Sequence, residues 1–239
     1  MNIFLSIIDK NTSNSSNCIS ANASGEKHLE PIVIEAFRKF FPVRDFENEV
    51  GENLHSRTKG RVSSWIASNE GMQGTNFTEK CGFEYVKLGY SDCEFDLVFR
   101  DGYIDSNYLE KASGCFSLIK LNEHGIEVVT DAVGSHPLFF LDVGRYIIVS
   151  SRNNILAYIA DKYFIDYSVK YNIEGCRQFA LQGHLFERNT CFEDINSSSV
   201  HEHISANNRG LKFFDWLKIG SNELSINSYA YKNTLVNSS

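Results

Sequence analysis

Apolar positions along the chain follow two rhythms. Ile3 to Ile8 is an almost unbroken apolar run and reads as a buried strand. The Ser/Asn-rich stretch from Asn11 to Ser24 carries too little apolar surface to be more than a loop. From Leu29 to Phe41 the period lengthens: Ile32, Ala36, Phe37 and Phe40 recur at helical spacing, and Pro42, which cannot continue the backbone ladder, closes the segment. Val62 to Ala67 and Phe83 to Leu88 return to short β-branched or aromatic runs ended by polar or Gly clusters, the mark of strands.

Ser91-Asp92-Cys93-Glu94 has the form of a capping box, so a helix is expected to follow with Phe95, Val98 and Phe99 on its buried face. Four strands are expected next, at Cys115–Leu121, Ile126–Asp131, Leu138–Leu141 and Tyr146–Ser150, linked as an antiparallel meander by turns holding Gly125, Gly134 and Gly144. Asn153–Ala160 and Val169–Gln182 read as helices, the second stopped by Gly183 in a C-cap role. Val200–Ile204 and Leu211–Leu217 form a last hairpin across Asn207-Asn208-Arg209-Gly210. Strands in runs, with helices gathered on outer faces, point to an α+β layered sandwich. One domain over residues 1–218 and a polar tail over 219–239 are expected.

With 239 residues, 42% of them hydrophobic, the chain can bury a sizeable core. Three prolines against 11 tyrosines and 18 phenylalanines favour aromatic-rich strands. A net charge of −7 offers no basic stripe for displacing counterions from phosphates, so nucleic acid is an unexpected partner. The opening apolar run is too short for a signal or a membrane span, and a cytoplasmic protein is expected. Cys18, Cys81, Cys93, Cys115, Cys176 and Cys191 show neither CxxC nor Cys/His spacing, so reduced thiols and no metal site are expected. His201-Glu202-His203 places two imidazoles at strand spacing but lacks a third ligand, and reads as a solvated strand face. His136 and His184, beside turns, read the same way. Phe213, Phe214 and Trp216 read as core and interface.

Three segments taken together carry a family likeness. Gly114-Cys115-Phe116, Asp131-Ala132-Val133-Gly134-Ser135-His136-Pro137-Leu138 and Ser150-Ser151 resemble the G-x-F … D-x-x-G-x-x-P-L … A-S core of class II glutamine amidotransferases. Gly183, Thr190, Phe192 and Ile195 are similar to the G … T-x-F-x-x-I stretch of asparagine synthetases, and Trp216 falls near that domain's usual end. Met1 to Asp9 is similar to the family's opening strand and puts Asn2 at the nucleophile position. The resemblance spans about residues 1–218. It implies an N-terminal nucleophile (Ntn) hydrolase fold, a four-layer αββα sandwich of two antiparallel sheets.

In active members, an N-terminal cysteine attacks the glutamine amide with its own α-amine as base. Asn2 offers a carboxamide, which is no nucleophile, and its bulk discourages removal of Met1. No catalytic residue is therefore expected. The resemblance also implies vestiges of a substrate site. Asp92 stands where the family's aspartate holds the substrate α-amine, and Asn69 and Gly71 stand, in altered order, where an asparagine and a glycine help form an oxyanion hole. The family's arginine-rich segment has no counterpart beyond Arg44-Asp45. Two readings stay open for Asp92, a helix-start aspartate or a retained ligand, and Asn69 reads equally as a turn residue. Cys93 and Cys18 are candidate substitute nucleophiles without a neighbouring base or cation to lower their pKa.

Members without the cysteine resemble β-lactam synthetases and lasso-peptide cyclases, whose front domain is kept as scaffold. The chain also lacks the S-G-G-x-D phosphate loop of the synthetase domain. The expectation is a non-catalytic domain, without cofactor or metal, that supports an asparagine synthetase-type ATP pyrophosphatase. Self-association as a homodimer is left open. The alternatives are a glutaminase with another nucleophile and an amino-acid-binding regulatory module working through Asp92.

Overall fold

The computed structural model describes residues 2–11, 29–40, 54–68, 77–100, 103–164, 167–183, 185 and 188–217. Two six-stranded sheets carry the fold, and every ladder in them is antiparallel. The first holds β1 (Asn2–Asp9), β2 (Leu54–Lys59), β3 (Val62–Ser68), β10 (Phe139–Val143), β11 (Tyr146–Ser150) and β12 (Ile195–Ser197), in the order β12-β10-β11-β1-β3-β2. The second holds β4 (Phe77–Lys80), β5 (Phe83–Ser91), β8 (Gly114–Leu121), β9 (Gly125–Thr130), β13 (Glu202–Asn207) and β14 (Gly210–Asp215), in the order β14-β13-β9-β8-β5-β4. A ribbon of β6 (Phe99–Arg100) and β7 (Tyr103–Ile104) stands apart.

The unbroken apolar character of β1 follows from its place inside the first sheet, where both faces are covered. Ile3, Leu5 and Ile7 meet α1 (Leu29–Phe40) and α4 (Asn153–Tyr163), joined there by Val33, Phe37, Leu156 and Ile159. Phe4 and Ile8 point the other way and pack, with Ile66, Phe140 and Val149, against Val86, Leu88, Ile119, Val128 and Ile204 of the second sheet. Ser6 sits on that inner face and stays satisfied by donating to the Ser63 carbonyl at 2.9 Å. On the outer face of the second sheet, Tyr85, Phe116, Leu118 and Val129 are covered by Val98, Phe99, Leu109 and Trp216. Here the cover is made of two single-turn helices, α2 (Phe95–Val98) and α3 (Ser106–Leu109), and the β6–β7 ribbon. The expected α+β sandwich of two antiparallel sheets between outer layers is the structure observed. Among the described residues, no helix is long and apolar enough to cross a membrane.

Several local expectations give way to tertiary pairing. Ser91 does not cap a helix: it ends β5 opposite Gly114, and its Oγ accepts from the Cys93 amide at 2.8 Å. The helix is reduced to Phe95–Val98, with Glu94 at its N-cap making no side-chain cap bond. Nor do the four central strands form one meander. β8 and β9 belong to the second sheet and β10 and β11 to the first, because residues 131–138 carry the chain across the sandwich. The helix expected from Val169 starts only at Ile173, as α5 (Ile173–Gln182), since Tyr171 is bridged to Phe192 and Asn172 caps the first turn. Its C-cap is Gly183 as expected, left-handed at φ 73°. His201 precedes β13 at φ 42°, and Glu202 is buried, ion-paired with Arg188, rather than solvated.

Candidate functional site

Which end of the sandwich matters is fixed by turns at the other. The Arg61 amide, at the β2–β3 turn, donates to the Glu123 carbonyl at the β8–β9 turn, so the start of β3 and the end of β8 share one end. Ser68 at the end of β3, its partner Asn2 at the start of β1, and the Ser91–Gly114 pair of β5 and β8 therefore gather at the opposite end. The backbone of Asn2 thus occupies the first ladder position of an interior strand, at the rim where Asp92 also lies.

The turns behind the family likeness converge on this rim. Asp131, 3% exposed, accepts from the Phe116 amide at 2.8 Å through one oxygen and from the Val133 and Ser135 amides at 3.1 and 3.0 Å through the other. One carboxylate thereby shapes the crossover between sheets, with Gly134 at φ 65° completing the turn. Leu138 then enters the first sheet, its amide donating to Ser198 Oγ at 2.9 Å. Ser151 takes the Phe4 amide at 3.0 Å on its hydroxyl and returns its own amide to the Phe4 carbonyl at 2.9 Å, stapling the start of β1. These motif residues build the crossover and hold the strand, and none of these bonds requires a reaction.

Asp92 is exposed, and both its oxygens are committed. Oδ1 accepts from the Ser113 amide at 2.9 Å and Oδ2 from the Ser113 hydroxyl at 2.7 Å, while the Asp92 amide returns to the Ser113 carbonyl at 3.3 Å. Under this turn the buried ammonium of Lys87 donates to the carbonyls of Ser91 and Cys93 at 2.9 and 3.3 Å. The Ser113 hydroxyl, then its amide, hold the Asp92 carboxyl below the usual carboxylate range, with the Lys87 charge contributing. A carboxylate held this way is a weak proton acceptor, so the Ser113–Asp92 pair is a clamp and not an activated hydroxyl. It keeps lone pairs for a cation at a fixed place on the rim. The macrodipole reading of Asp92 is corrected: the residue lies outside α2, on a turn.

Asn69 and Gly71 lie outside the described residues, as do Cys18, Arg44-Asp45 and His184. Cys93 is 4% exposed, and burial pushes its thiol up, away from nucleophile duty. Sequence reasoning missed Ser113, Lys87 and the exposed Cys115 at this end. It also missed the seat of His136, whose ring lies over Gly89: a Cβ there would stand 2.3 Å from the ring and 2.1 Å from the Cys115 carbonyl. Strand alternation places Cys115 on the Ser117 and Ile119 face, a signal open to sequence; the Lys87 and Ser113 contacts cross between segments and leave none. Among the described residues, no group of three or more His, Cys, Asp or Glu side chains is placed to hold a metal. At the far end, a depression is lined by Val62, Glu84 and Arg57, which pairs with Glu84 at 2.5 Å and Glu79 at 2.9 Å.

Two antiparallel sheets face to face between outer layers, with an interior first strand opening on the rim, define an αββα sandwich. No protein-family model matches the chain, and no curated protein matches it. Among solved structures the chain is similar to one described as the structure of the allosteric regulatory enzyme of purine biosynthesis, at a TM-score of 0.47 and 11% identity, over 92% of this chain and 50% of that one. It is similar also to the glutamine phosphoribosylpyrophosphate amidotransferase from B. subtilis complexed with ADP and GMP, at a TM-score of 0.44 and 11% identity, again over 92% and 50%. The chain spans half the length of each of these proteins.

Proposed function

We propose that this chain is a class II glutamine amidotransferase-like domain that keeps the sandwich without the hydrolysis, and that it serves as scaffold for an asparagine synthetase-type, ATP-dependent amide-forming synthetase in biosynthesis. The reading rests on one observation: the first ladder position of β1, on the rim that also bears Asp92, is an asparagine. A carboxamide nitrogen has its lone pair delocalised and cannot attack an amide carbon as a thiolate does. The clamp at Asp92 and the crossover at Asp131 are satisfied by internal hydrogen bonds, which suits retention of a shape.

Two measurements test it. Ammonia release from glutamine by the purified chain is expected to stay at the buffer blank; release that disappears on replacing one cysteine would establish a glutaminase instead. Affinity capture from the source cell is expected to recover a synthetase-type ATP pyrophosphatase, and its absence from repeated captures would sink the scaffold role. A second reading, an amino-acid-binding module, draws on the exposed and ionised Asp92. Calorimetric titration with glutamine and asparagine separates it from the scaffold, which gives no heat of binding.

A further inference from the structure

Helix α5 is held differently from its neighbours. α1 and α4 bury Val33, Phe37, Leu156 and Ile159 against the first sheet, whereas Gly175 is the one buried residue of α5, and Ile173, Phe179 and Leu181 are exposed. What fixes α5 is backbone contact with the segment before β12. The Asn172 amide donates to the Cys191 carbonyl at 3.0 Å, Tyr171 bridges Phe192, and their rings stack at 5.6 Å. The missing side chain of Gly175 permits this approach, since a Cβ there would lie 2.3 Å from the Thr190 carbonyl. Cys176 follows directly, its amide bonded to Asn172 and its thiol 3.7 Å from the Cys191 carbonyl. The Cys176 side chain lies near enough to the Cys191 thiol to help push its pKa up. Two cysteines can be bridged without backbone movement only where their backbones already lie close together, and this one contact brings them there.

We propose that Cys176 and Cys191 are a dithiol modification site that closes to an intramolecular disulfide in the presence of a disulfide oxidant such as oxidised glutathione, pinning α5 to the segment before β12. The Cys176 thiolate attacks one sulfur of the oxidant and expels one reduced glutathione, leaving a mixed disulfide. The Cys191 thiolate then attacks the Cys176 sulfur and expels the second. Two thiols lose two electrons and two protons, and the oxidant becomes two molecules of reduced glutathione. Burial, reinforced by the Cys176 thiol, pushes the Cys191 thiol up, so closure is faster at alkaline pH. The remaining described thiols do not share this arrangement: Cys93 is buried on the outer face of the second sheet, and Cys81 and Cys115 are exposed.

The test uses the full native chain incubated with oxidised glutathione, then counted for thiols in denaturant and mapped by peptide mass. The thiol count is expected to fall from six to four, with a Cys176–Cys191 cross-linked peptide. Amide exchange in α5 is expected to slow at least about tenfold, with α4 unchanged and dithiothreitol restoring both readings. Cys191→Ser is expected to stop at the mixed disulfide on Cys176. The proposal is overturned if the native wild type gives glutathione adducts or other pairings without the 176–191 peptide, or if the cross-link forms and α5 exchange is unchanged.

Discussion

At Asp92 a single hydroxyl decides how a carboxylate behaves. Removing it with Ser113→Ala leaves only the amide bond, so the Asp92 pKa is expected to rise toward the ordinary value of about 3.9. Carboxyl-carbon NMR titration of the two proteins measures that shift. Because the folded value lies below the unfolded one, the clamp's contribution to stability is complete above the usual carboxylate range and is lost as pH falls through the folded value. His203 has the opposite problem. Its ring stacks on Phe214 at 5.6 Å, its Nε2 has no partner, and burial lowers its pKa against the nearby Glu127, with Lys120 adding to the lowering. The unfolded chain therefore binds a proton at this residue before the folded one does, and stability falls as pH drops below about 6.5. Melting from about pH 7.5 to about pH 5.5 is expected to lower the wild-type midpoint more than that of His203→Phe. Equal declines would remove His203 from the account.

Among the elements, β5 depends most on one missing side chain. Gly89 sits at φ 82° with the Cys115 carbonyl and the His136 ring where a Cβ would go, so Gly89→Ala is expected to cost more than about 2 kcal/mol in denaturant unfolding. Gly144→Ala, at φ 52° but with open space around it, is expected to cost about 1 kcal/mol, the backbone penalty alone. Such contrasts show what the sequence could and could not disclose. β1, β3, β11, α1 and the final hairpin were legible because their apolar rhythm matches the faces they bury. β2, with Leu54 as its only apolar residue in Leu54–Lys59, and β4, at Phe77–Lys80, were not: they are edge strands whose pairing comes from the neighbouring ladder. The Ser91–Glu94 capping signal was genuine local chemistry outbid by the Ser91–Gly114 pairing. Within the site, Asp92 was found by likeness to a motif, while its clamp to Ser113, 21 residues away in sequence, has no local signature.

For the molecule as a whole, ion pairs between a half-buried arginine and a buried carboxylate tie separate segments together. Arg145 grips Asp9 at the end of β1, with Nε at 2.9 Å, and Arg188 grips Glu202 at the start of β13, with one bond of 3.0 Å, its guanidinium lying over Phe213. Glu202 is nearly fully buried and Arg188 is not, so Arg188→Ala leaves a buried carboxylate without its counter-charge, held by the Ser199 amide at 2.7 Å. A loss of about 3–5 kcal/mol is expected, read by urea unfolding. Glu202→Gln in the same background is expected to recover part of it. The position of β1 carries a further consequence, for the order in which the molecule can assemble. β1, made before the other strands of these two sheets, lies between β3 and β11, and the Phe4 carbonyl meets its Ser150 partner 146 residues later. Contacts of such long range are slow to close. Until β11 has been synthesised, β1 presents an unpaired apolar edge on that side, where nascent chains are open to capture by chaperones or by one another.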